Sequence, residues 1–230
     1  MAEIWLWILM SIIMLLLVWI STTLKRIKRL EKRLSESREL QYGEIIRTVD
    51  HHRHDWMNDV QVLFGYIQLK KQDKVLGYIN QIIEQLRIES LISKLGIPSL
   101  VAYFVSFRAN TNALMLHVRL EQEIYLSNYG EQGVRVAKIV IAFIEAYKLA
   151  AGRGEGEANK LNVTMNVWDD QLFIEFEYDG FSDIMRIRDS LQKIIDRIDA
   201  EQDIQVTTID TEQSVDVEIR VSLGLVKSIL

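Results

Sequence analysis

With 230 residues, 49% of them hydrophobic, the chain has room for one ordinary domain and a smaller module and enough apolar residues to bury a core, which excludes intrinsic disorder. It contains no cysteine, so disulfides, thiolate metal sites and sulfur redox chemistry are excluded. A net charge of -5 argues against a nucleic-acid binder that neutralises phosphates over its whole surface.

The first segment, 1–24, reads as a transmembrane anchor. Within IWLWILMSIIMLLLVWI, residues 4–20, only Ser11 is polar, and 21–24 extend the uncharged run to the length that crosses a bilayer of about 30 Å. A cleaved signal peptide would carry a basic start, whereas this chain begins Met1, Ala2, Glu3, and no small-residue cleavage site follows. Trp5, Trp7 and Trp19 sit near the ends of the run. Lys25, Arg26, Lys28, Arg29, Lys32 and Arg33 follow it at once. By the positive-inside rule this predicts a single-pass cell-membrane protein, N-terminus outside and the rest cytoplasmic. The basic run is read as topology and headgroup attraction, not nucleic-acid binding.

Next come a juxtamembrane helix or linker, 25–43, and a helical hairpin, 44–97. Apolar residues recur at helical spacing through Ile27, Leu30 and Leu34, then Val49, Trp56, Val60, Leu63 and Ile67. The polar stretch SESRELQYG, 35–43, is expected to loosen the helix. KKQDK, 70–74, turns the chain, with Asp73 as the expected N-cap of a second helix bearing Val75, Ile79, Ile82, Ile83, Leu86 and Ile92. A lone hairpin cannot cover its own apolar seam, so two copies pairing into a four-helix bundle are expected.

TVDHHRHDWMNDV, residues 48–60, holds three of the four histidines in the chain. If Trp56, Val60, Leu63 and Ile67 face inward, a rotation of about 100° per residue leaves His54 turned to water, with His51 and Asn58 on the same outer face. Asp55 adjoins His54. A carboxylate can fix one ring nitrogen and leave the other as a nucleophile near neutral pH. No cysteine, serine nucleophile or oxyanion loop accompanies it, which favours phosphoryl over acyl transfer. Zinc would need three or four convergent ligands, and His51 with His54 offers two. A solvated face on which histidine merely recurs fits the spacing equally well.

RHDWMNDVQVLFGYIQL, residues 53–69, resembles the phosphoacceptor box of the sporulation initiation phosphotransferase B family, akin to the citrate-type sensor histidine kinases. His54, Asp55, Trp56 and Asn58 match its histidine, acid, aromatic and asparagine. The likeness continues through ESLISKLGIPSLVAYFVSF, 89–107, and more faintly onward, covering roughly 45–225. The resemblance implies a dimeric relay protein that uses no nucleotide. Its histidine takes a phosphoryl group from the aspartate of a single-domain response regulator and passes it to the sporulation transcription regulator.

The remainder, 98–230, reads as helix over 99–109, strand over 114–120, helix over 132–150, strands over 161–167 and 172–178, helix over 184–199, and strands over 204–208 and 214–222. This order resembles the ATP-binding domain of histidine kinases. Where those enzymes carry a magnesium-coordinating asparagine, AFIEAYKLA, 142–150, keeps Glu145 but has Ala142 and Ala146. FEYDGFSD, 176–183, keeps Asp179 and Gly180 without the spaced glycines. GRGEG, 152–156, follows a helix instead of opening one and is read as a loop. His117 is read as structural.

The expected fold is therefore α+β: a transmembrane helix, a hairpin dimerising into a four-helix bundle, and a C-terminal α/β sandwich resembling a degenerate kinase ATPase domain. The candidate catalytic residues are His54, Asp55 and Asn58, with Arg53 and His51 as partner contacts. The expected chemistry is histidine phosphotransfer between response-regulator aspartates. No cofactor or metal of its own is expected, magnesium belonging to the response-regulator partner. The expected partners are receiver domains, a second copy of the chain and the membrane, without nucleic acid. An ATP-using membrane sensor kinase and a membrane-tethered dimeric scaffold are the alternatives.

Overall fold

The computed structural model describes residues 2–151, 159–180, 184–198, 204–210 and 215–223. The chain divides into two compact units, residues 1–50 and 51–230.

Helix α1 (Ala2–Gln68) runs without interruption through 35–43, where loosening was expected. The reason is compositional: glutamate, arginine, leucine and glutamine propagate helix well, and the single Gly43 costs only about 1 kcal/mol. No proline intervenes, since the only one in the chain is Pro98.

Among the described residues, no helix is long and apolar enough to cross a membrane. This corrects the expected transmembrane anchor over 1–24 and the single-pass membrane location derived from it. A span needs about 20 consecutive apolar residues. After Ile20 the chain turns polar at Ser21, Thr22 and Thr23 and basic from Lys25 onward. The Thr22 and Thr23 hydroxyls both donate to the Trp19 carbonyl oxygen, each at 2.8 Å. The basic residues that follow continue the same helix.

In the second unit α1 turns at Lys70, whose φ of 54° lies in the left-handed region, into α2 (Gln72–Lys94). Lys71, not Asp73, is the N-cap; Asp73 falls in the first turn, where a carboxylate complements the helix dipole. Pro98 opens α3 (Pro98–Asn110), at the position where its missing N–H costs nothing. Leu100, Phe104 and Phe107 form its buried stripe.

The rest is a five-stranded mixed sheet under two helices. Strand β1 (Met115–Leu120) leads through a short 3₁₀ turn to α4 (Gly130–Ala150), then β2 (Lys160–Trp168), β3 (Gln171–Asp179), α5 (Ile184–Ile198), β4 (Ile204–Asp210) and β5 (Val215–Ser222). The strand order is β1-β2-β3-β5-β4. The β1–β2 pair is parallel and the other pairs are antiparallel.

Alternation decides which sheet face is covered. Leu161, Val163 and Met165 stand opposite Tyr178, Phe176 and Ile174, which continue into Val217 and Ile219. All are buried. Onto them α4 lays Val136, Val140, Phe143, Ile144 and Tyr147, and α5 lays Ile187, Leu191, Ile195 and Ile198 at helical spacing. Burying each large side chain contributes about 1.5–3 kcal/mol.

Gly133 is required at the start of α4: a Cβ there would sit 2.0 Å from the Leu126 carbonyl oxygen. This close approach seats the helix on the turn before it.

Candidate functional site

The second unit opens with the histidine cluster, on α1. Because residues four apart share a helix face, the cluster resolves into two strips. On the outer strip, His54 and Asn58 are both exposed, with the His54 Nδ1 and Asn58 Nδ2 atoms 3.2 Å apart. On the flanking strip, His51 Nε2 lies 3.7 Å from Asp55 Oδ2. That is an ion-pair distance, too long for a hydrogen bond, so the buried His51 nitrogen has a carboxylate near it but no hydrogen-bond acceptor. Arg53 is exposed.

The structure thus places the five predicted residues on about two turns of helix but divides them by partner. Asp55 meets His51, not its neighbour His54, because adjacent residues point about 100° apart. The side chain that meets His54 is Asn58.

Asparagine suits that position. A half-turn of its amide exchanges oxygen for nitrogen without changing shape. With Oδ1 toward the ring it accepts the Nδ1–H proton and leaves Nε2 with its lone pair directed to solvent.

Two contacts here were not expected from the sequence. Arg108, in the last turn of α3, brings Nη1 to 3.7 Å from the same Asp55 Oδ2. The Tyr78 hydroxyl of α2 donates to Asp59 Oδ1 at 2.8 Å, and this hydrogen bond is the main cause that raises the phenol above its usual range. Neither partner could be found from periodicity, because each comes from another helix. Asp59 itself carried a signal, lying four residues after Asp55.

Beside the cluster runs a groove of about 270 Å³ between α1 and α2, lined by Trp56, Val60, Leu63, Ile79, Ile83 and Leu86. Trp56 is 59% exposed, Val60 57% and Ile83 58%. The apolar seam of the hairpin therefore faces outward in the single chain.

The second region of interest lies on α4. Glu145 Oε1 accepts from the Tyr103 hydroxyl at 2.8 Å and pairs with Lys148. Ala146 is buried. Beneath it Phe143, Phe176, Tyr147 and Tyr178 form a stack with ring centroids 5.3 to 6.3 Å apart. The Tyr147 hydroxyl donates to the Val215 carbonyl oxygen at 2.7 Å, and burial pushes this phenol far up. The GRGEG segment and residues 181–183 of FEYDGFSD lie outside the described residues. His117 is exposed on the edge strand β1. Among the described residues, no three or more metal-binding side chains converge.

Comparison with known proteins sets these sites in a family. The model for the sensor kinase SpoOB-type alpha-helical domain matches residues 35–95. The sporulation initiation phosphotransferase B of Bacillus subtilis (strain 168) is 31% identical over 161 residues, 68% of this chain and 81% of that protein. The chain belongs to the sporulation initiation phosphotransferase B family. Solved structures are more distant. The Acinetobacter baumannii histidine kinase AdeS is 14% identical, with 74% of this chain and 98% of that one covered at a TM-score of 0.38. The histidine kinase domain of the Erythrobacter litoralis EL346 blue-light activated kinase is 13% identical, with 58% and 61% covered at 0.39. The family assignment rests on sequence, and both strips of the histidine cluster fall inside the segment that the family model of the helical domain matches.

Proposed function

We infer that this chain is a histidine phosphotransferase of a phosphorelay of the kind that initiates sporulation, moving a phosphoryl group between response-regulator aspartates through a phosphohistidine. The observation that carries this reading is an exposed His54, four residues before an asparagine in contact with its ring, in a chain that belongs to the phosphotransferase B family.

The chemistry follows from the ring. A receiver domain docks its phosphorylated aspartate against the outer face of α1, with the magnesium that accompanies the phosphate belonging to the receiver. The phosphorus–oxygen bond to the aspartate breaks as a bond from His54 Nε2 to phosphorus forms, while Nδ1 keeps its proton against Asn58 Oδ1. Such transfers pass through a loose, metaphosphate-like state, so the acceptor supplies position more than covalent chemistry. The return step hands the group to a second receiver. In this reading Asn58 fixes the ring, Asp55 sets the charge beside it, and Arg53 and His51 are receiver contacts.

The reading includes two further features. A second copy of the chain covers the α1–α2 groove, since large apolar side chains as exposed as Trp56, Val60 and Ile83 each forgo about 1.5–3 kcal/mol in water. The α4 domain does not use ATP: Ala142 and Ala146 stand where a magnesium-binding amide is needed, and the Tyr147 stack is already closed.

The test is incubation with a receiver domain labelled on its aspartate. Acid-labile, base-stable label should appear on the wild-type chain and vanish in His54→Ala. Label that persists in His54→Ala but is lost in His51→Ala would sink the assignment.

A further inference from the structure

We propose that Arg108 of α3 is a positioning residue for the phosphotransfer at His54, acting through Asp55; this rests on the phosphotransfer reading above. Asp55 is the residue after His54, and its carboxylate lies on the strip that flanks the His54–Asn58 face. Left alone, a negative charge on the adjoining strip opposes the approach of a dianion. Arg108 Nη1 and His51 Nε2 each lie 3.7 Å from Asp55 Oδ2, so the carboxylate is flanked by two nitrogens from two different helices. Only one of them is always charged: guanidinium stays protonated at every physiological pH, whereas imidazole does not.

The geometry suits positioning better than stability. Side-chain exposure is 61% for Arg108 and 27% for Asp55, and an ion pair of that exposure adds little to folding. At 3.7 Å it is also no hydrogen bond, and the arginine is not locked into the core. What the pair does accomplish is to bring a positive charge from α3 to the turn of α1 that carries His54. The carboxylate next to His54 in the chain is thereby balanced by a side chain of the third helix.

The test uses the full chain and a receiver domain, labelled on its aspartate, that the wild-type chain accepts as a phosphoryl donor. Arg108→Ala should lower kcat about tenfold, the scale of one unit charge across a partly screened gap. KM for the receiver should change by less than twofold, the melting temperature should hold, and Arg108→Lys should restore most of the rate. In the Asp55→Asn background, Arg108→Ala should have no further effect, because the charge it balances is gone. Wild-type kcat in Arg108→Ala overturns the proposal. So does a raised KM, which makes Arg108 a docking contact, and so does an effect that persists undiminished in Asp55→Asn. If no receiver labels the wild-type chain at all, it is the phosphotransfer reading that fails.

Discussion

The histidine stretch of α1 and the C-terminal half of α4 are both regular helix, yet they use their side chains in opposite ways. On α1, Trp56 and Val60 stand in the open beside His54 and Asn58. On α4, Phe143, Ile144, Tyr147 and Ala150 are sealed against the sheet, and the Tyr147 hydroxyl is spoken for by a backbone carbonyl. The first helix leaves both its chemistry and its apolar surface for molecules outside the chain. The second turns its aromatic face inward against the sheet. A helix that resembles part of a nucleotide site in sequence is, in its packing, a core helix.

That contrast can be broken most sharply by paired substitutions. His54→Ala should abolish phosphoryl acceptance completely while leaving the urea midpoint unchanged, since an exposed side chain contributes little to packing. Phe143→Ala should do the reverse, costing about 3–5 kcal/mol of stability with label still accepted by the folded fraction. A Phe143→Ala chain that folds normally but loses transfer would make α4 part of the site.

Next in size is the groove. Val60→Asp places a charge where an apolar partner surface is expected, and light scattering should find a dimer for the wild-type chain and a monomer for the variant. A dimer that survives Val60→Asp would place the interface elsewhere.

Tyr147→Phe should cost about 1 kcal/mol in urea unfolding, because it removes one buried hydrogen bond. Isothermal titration of this variant with magnesium and ATP should show no binding, as in wild type. Heat released in either titration would reopen the nucleotide reading.

The smallest effect lies on the uncovered face of the sheet. Glu175 stands opposite Glu218. Burial first, then Glu177, Glu218 and Asp216, raise its carboxyl above the ordinary 4.5. A carboxyl raised on folding binds its proton more tightly in the native state. Its stabilising contribution is therefore full below the unfolded value and lost as pH climbs through the raised one. Glu175→Gln should gain a few tenths of a kcal/mol at pH 7 and flatten the fall in stability above pH 4.5. Unchanged pH dependence in that variant would show that the neighbouring carboxylates move apart instead.

Much of this was legible in the sequence because it depends on local pattern. Strict alternation marked β2 and β3, and i, i+3 and i+4 spacing marked α2, α4 and α5. The outward turn of His54 also followed from helical period. What was not legible came from contacts between elements. Nothing in the spacing of α1 announces Arg108 or Tyr78, and Asp55 looked like the partner of His54 only because it is next in the chain. The apolar run at the N-terminus illustrates the opposite error, a strong local pattern read into an anchor that the described helix does not bear out. The 35–43 stretch was judged by polarity, when propensity is what lets a helix continue.

The parallel pairing of β1 with β2 bears on the order in which the protein assembles. Met115 is matched with Lys160, so the two strands are 45 positions apart in sequence and joined by a path that includes α4. During synthesis β1 leaves the ribosome with no strand to pair with, and its ladder closes only after α4 and the whole of β2 have emerged. Contacts this distant in sequence are slow to form. The α1–α2 hairpin, built from neighbours, is complete long before. The helix that carries His54 and the α2 and α3 side chains that meet it are therefore made before the sheet exists.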